Sequence, residues 1–103
     1  MDCMKPHPKK LLVIMAEAAL ERALVQDVVR LGAHGYTVYD VRGAGASGER
    51  EGAWEADRTI EMKVICDPEV ADRIAHAVLA SYGRDYGLSL FFADVTVLRA
   101  DKY

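Results

Sequence analysis

Glycines at 43, 45 and 48 and arginines at 42, 50 and 58 fall within one stretch, DVRGAGASGEREGAWEADR, residues 40–58. Glycine lets the backbone take conformations closed to other residues and lets a ligand approach closely. Successive backbone N–H groups in such a segment can form a concave nest for an anion. Guanidinium forks fit phosphate oxygens two at a time. These residue types support the holding of a phosphate-bearing ligand rather than the breaking of a bond. A second account of the same residues is a solvated loop whose glycines only relieve strain, because so short a glycine pattern is weak by itself.

The other residues able to do chemistry are scattered. Cys3 and His7 are too few to make a metal site, and Cys66 reads as a small core residue. His34 reads as a helix-end residue and His76 as a solvated one. Asp85 suits a turn, and Asp94 suits a hydrogen bond between subunits. Neither is assigned as a catalytic carboxylate, and no enzyme activity is expected. Tyr36, Tyr39, Tyr82 and Tyr86 read as core or interface residues. Trp54 is either an anchor for a partner or a side chain folded back on its own domain.

The elements that must position these residues follow from pattern. The chain has 103 residues, 51% of them hydrophobic, which fits one ordered domain. Its net charge of −3 and lack of a basic stripe argue against nucleic acid as a partner. Two cysteines make no disulfide framework. The apolar run over 11–15 is too short for a membrane span or a signal segment. A cytoplasmic protein is expected. After a flexible tail over 1–8, a single domain over 9–103 begins with a strand over 9–15 that is apolar on both faces. A helix over 18–31 follows, ended by Gly32 or Gly35. Strands over 36–41 and 59–66 flank the connection over 42–58, far longer than the roughly 2–5 residues usual for a hairpin. Asp67-Pro68 is a cap followed by proline at the first helical position, and that helix runs to about 81. A last strand covers 88–98. The order βαββαβ predicts an α+β, ferredoxin-like fold: a four-stranded antiparallel sheet with two helices on one face. The other face would be bare and apolar, so a closed homo-oligomer is expected to cover it.

GYTVYDVRGAG, residues 35–45, resembles the segment of PII signalling proteins that ends their second strand and opens their T-loop. FFADVTVL, residues 91–98, is similar to their last strand. Element order and loop position match over nearly the whole chain. YGRDYGL, residues 82–88, lacks the longer glycine-rich B-loop of PII proteins and resembles the PII-like subfamily associated with bicarbonate transporters and carboxysomes. The resemblance implies a trimer that binds adenine nucleotides in clefts between subunits. By the same resemblance, Thr37 lies near the adenine, and Gly43 and Gly45 place backbone near the phosphates. Lys63 and Ile65 meet the adenine edge through backbone atoms, and Tyr86 and Gly87 form the shortened B-loop. Arg99 contacts phosphate, as does Arg50 from the T-loop. Ala44 and Ser47 replace basic T-loop positions, and the B-loop lysine has no counterpart. ADP or AMP is therefore expected to compete well with ATP. The loop lacks the tyrosine that PII proteins carry for uridylylation. The resemblance further suggests bicarbonate as a second ligand and a membrane transporter or carboxysome-related protein as partner.

Two other functions share this element order. An acylphosphatase-like hydrolase needs an anion-cradling loop after the first strand, where MAEAALE offers neither glycine nor arginine. A metal-binding ferredoxin-like trimer of the copper-tolerance type needs a Cys/His cluster.

Overall fold

The computed structural model describes residues 5–45, 48–50 and 58–103, with side chains over 5–42 and 58–103. Strand β1 spans His7–Glu17, helix α1 Glu21–Arg30 and strand β2 Thr37–Val41. Short strands β3 (Gly43–Gly45) and β4 (Gly48–Arg50) follow, then β5 (Thr59–Cys66), helix α2 (Pro68–Tyr82) and β6 (Ser89–Val97). The main sheet is four-stranded in the order β2-β5-β1-β6, and every pairing is antiparallel. This is the expected ferredoxin-like α+β fold.

The apolar run of β1 fits its place between two neighbours. Leu12, Ile14 and Ala16 pair with Val64, Met62 and Ile60 of β5, all facing the helices. Leu24 and Val28 of α1 and Ala71, Ile74, Ala75 and Val78 of α2 close that core. Both helices therefore lie on one face. Leu11, Val13, Met15, Ile65, Phe91, Ala93 and Val95 sit at the alternate positions, on the face without helices. Phe91 there is 52% exposed.

Several boundaries differ from expectation. Strand β1 begins at His7 and takes His7 and Pro8 out of the predicted tail, because β6 extends far enough to pair with both. The first helical segment divides into a 3-10 turn at Ala18–Leu20 and the α-helix proper. The α1 C-terminus closes through Gly32, whose φ is +117°. The Gly32 N–H donates to the Val29 carbonyl at 3.2 Å and the Ala33 N–H to that of Val28 at 2.9 Å, a Schellman arrangement. Pro68 opens α2 as predicted, but the Asp67 carboxylate makes no cap bond. Instead it accepts a hydrogen bond from Lys9 Nζ at 2.6 Å. Asp94, expected between subunits, accepts one from Lys10 Nζ within the chain at 2.5 Å.

Candidate functional site

Site residues cluster first at the exposed edge formed by β2. Thr37 opens that strand, is exposed, and pairs with Lys63. Lys63 Nζ lies 5.4 Å from the centroid of the Tyr39 ring, a cation–π distance. The Tyr39 hydroxyl donates to Glu61, its cross-strand partner. Thr37, Tyr39, Glu61 and Lys63 thus form a polar patch on the helix-free face. The period-2 alternation of TVYDV and TIEMKVIC contained that patch, but assembling it required the cross-strand register.

The β2–β5 ladder stops at the Thr37–Lys63 pair. Ile65, two residues further along β5, pairs with Leu11 on one side and lies beyond the end of β2 on the other. A planar ligand at the end of β2 could use that strand edge as an incoming strand would. Lys63, in contrast, sits in the ladder between Thr37 and Val13. What it offers outward is its ammonium group.

The chain leaves β2 directly into the glycine stretch, where Gly43 pairs with Arg50 and Gly45 with Gly48 in a two-stranded ribbon. The connection expected to be plain loop therefore contains a hairpin, with two predicted phosphate-site residues opposite one another. Trp54 lies outside the described residues. The base of the connection is tied: Arg58 donates to the Asp40 carboxylate at 2.7 Å, and its carbonyl accepts from the Ala18 N–H at 2.9 Å.

The remaining predicted residues are elsewhere. Tyr86 and Gly87 lie between α2 and β6, and β6 is the opposite edge of the sheet. Three strand spacings of about 4.8 Å put the two edges roughly 14 Å apart. Arg99 follows the far end of β6, and nine residues of strand put it about 30 Å from the Gly87 end. Arg99 lines an open depression of about 550 Å³ with Val97, Leu98, Lys102 and Tyr103. Its guanidinium is exposed and only 3.7 Å from Asp101, a loose ion pair. One chain therefore brings Thr37, Lys63, Ile65, Gly43, Gly45 and Arg50 to one edge, but does not bring Arg99 to Tyr86 and Gly87.

Cys66 is buried under the helices, and its thiol is pushed up to about 11, chiefly by burial and then by the Asp67 charge. Such a group is no nucleophile at neutral pH. Among the described residues no group of three or more His, Cys, Asp or Glu could hold a metal ion, and no helix is long and apolar enough to cross a membrane.

Residues 9–102 match the family model of nitrogen regulatory protein P-II. The chain belongs to the P-II family. Members are regulatory proteins, and trimeric assembly is typical of them. Among solved structures, a PII-like signaling protein from Thermus thermophilus is 39% identical with a TM-score of 0.84, covering 97% of this chain and 99% of that one. CPII from Thiomonas intermedia, a nitrogen regulatory PII-like protein, is 25% identical with a TM-score of 0.85, covering 96% of each chain. That CPII structure holds ADP, AMP and bicarbonate, and a second one holds ADP and bicarbonate. A search of curated proteins returned no match. The PII-like resemblance read from GYTVYDVRGAG and FFADVTVL is thus established, and the chain is a PII-like signalling protein.

Proposed function

We propose that this P-II family member binds adenine nucleotides in clefts between the subunits of a homotrimer, with ADP or AMP competing well with ATP. Bicarbonate is the second ligand. The partner, a membrane transporter or carboxysome-related protein, reads energy or inorganic-carbon status from the segment over 42–58. The observation that carries this reading is the division of the site. Thr37, Ile65 and the Gly43–Arg50 ribbon lie at one edge, while Arg99 lies past the far end of the opposite edge strand. One nucleotide can engage both sets only if a second copy supplies one of them. The apolar helix-free face supplies a reason for copies to associate, and the ligands held by Thiomonas CPII supply the chemistry.

The mechanism is a population shift. Ordering a loop costs about 1–2 kcal/mol per residue fixed, so a ligand that contacts the segment in one arrangement favours that arrangement. The glycine backbone and the arginines 42 and 50 hold an anion through N–H and guanidinium donors. Without a B-loop lysine, a γ-phosphate adds little.

Titration calorimetry with ADP, AMP and ATP, each with and without bicarbonate, beside light scattering of the eluted protein, tests the proposal. Saturable ADP and AMP binding by a trimer, without turnover, is expected. A monomer, or no heat from any adenylate at millimolar concentration, refutes it.

A further inference from the structure

Tyr82, at the last turn of α2, is half-buried, and its hydroxyl donates to Asp27 Oδ2 of α1 at 2.9 Å. The other oxygen of the same carboxylate takes Arg30 at 3.3 Å, and the Asp27 side chain is only 18% exposed. The Tyr82 ring is thereby fixed at its tip to the neighbouring helix. Burial and the bond to Asp27 raise the Tyr82 phenol above its usual range, so the hydroxyl remains a donor at neutral pH.

Tyr86 is referenced to Tyr82 twice. Its ring stands edge-on to the Tyr82 ring, with centroids 6.2 Å apart and planes at 74°. Its N–H donates to the Tyr82 carbonyl at 3.1 Å, and its own carbonyl accepts from the Leu88 N–H at 2.9 Å. Gly83, the C-cap of α2, leaves no room for a side chain: a Cβ would stand 2.7 Å from the Leu79 carbonyl oxygen. Despite these restraints Tyr86 is 41% exposed. An aromatic ring braced on one side and open on the other is set to receive a planar or sugar surface from outside the chain.

We infer that Asp27 and Tyr82 are positioning residues that hold the Tyr86 ring as an aromatic wall against the nucleoside of a bound adenylate. This inference rests on the nucleotide reading above. Tyr86 touches the ligand, Tyr82 sets its angle, and Asp27 sets Tyr82, so a signal in the loop between α2 and β6 is mechanically tied to α1.

ADP titration of the wild type and of Y86A, Y82F, D27A, D27N and the double variant Y82F/Y86A tests it, with melting temperature and oligomeric state followed in parallel. Y86A and Y82F should each weaken ADP binding by about five- to tenfold. The double variant should bind no more weakly than Y86A alone, because the two residues act as one unit. D27N keeps an oxygen acceptor for the Tyr82 hydroxyl and should bind near the wild-type level, while D27A follows Y82F. Losses that multiply in the double variant, or a Y82F protein that binds like the wild type, overturn the positioning role. So does wild-type affinity in Y86A, which leaves the nucleotide reading intact. A wild-type protein that binds no adenylate overturns both.

Discussion

Gly32 shows how much one residue can decide. Its φ of +117° is a conformation that side chains avoid, and its place at the Schellman turn lets Ala33 tuck into the core beside α1. Gly32→Ala should cost about 1–2 kcal/mol, read as a lower urea midpoint with an unchanged slope. Cys66 makes a prediction of the opposite kind, an absence of reactivity. Its folded pKa of about 11 lies above the ordinary value of 9.0. Between these values the unfolded chain has lost its proton and the folded chain keeps it, so this group's contribution to stability falls as pH rises through the interval. Native protein should resist iodoacetamide at Cys66 at pH 8 and react promptly once unfolded in urea. Prompt labelling of Cys66 in the folded protein, mapped by peptide mass apart from Cys3, would contradict the burial.

At the scale of elements, helix α2 does most to hold the sheet in place. Ile74 is fully buried in the core shared with residues of β1, β5 and α1. Ile74→Ala should destabilise by about 2–5 kcal/mol, measured by equilibrium denaturation, and should weaken ligand binding only through loss of folded protein. The elements were also what the chain declared most clearly. Ile60, Met62, Val64 and Cys66 alternate, and Leu20, Leu24, Val28 and Leu31 recur at helical spacing, so strand and helix could be told apart by period alone. Element ends were harder to read. Whether His7 and Pro8 join β1 depends on the length of β6, a partner over eighty residues away in sequence. Asp67 shows the same limit: as a cap its role is local, yet Lys9, brought near by the fold, takes its carboxylate. The Gly43–Arg50 ribbon was hidden for another reason, since glycine-rich segments carry no hydrophobic period.

For the whole molecule, the helix-free face is the surface on which the proposed trimer would close. Phe91 stands exposed there beside Val13, its cross-strand partner. Phe91→Lys leaves the helix-side core untouched and places a charge on the surface proposed to meet other copies. The variant should keep its far-UV circular dichroism, sediment as a monomer, and lose nucleotide binding. A trimer that still binds ADP would move the assembly contact elsewhere. Much of the candidate site was legible as residue types, but its division between distant parts of the sheet was not. Sequence places Arg99 and Thr37 in an order, and only the strand order reveals that they belong to opposite edges of the sheet.

The length of β6 between Gly87 and Arg99 has a genetic consequence. If each cleft borrows from two neighbours, a chain altered at Thr37 and a chain altered at Arg99 each fail to hold nucleotide alone. Refolded together, they regenerate clefts in which the sound half of one faces the sound half of the other, so nucleotide binding returns from two parents that lack it. Two lesions carried on the same polypeptide and mixed with themselves can never be rescued this way.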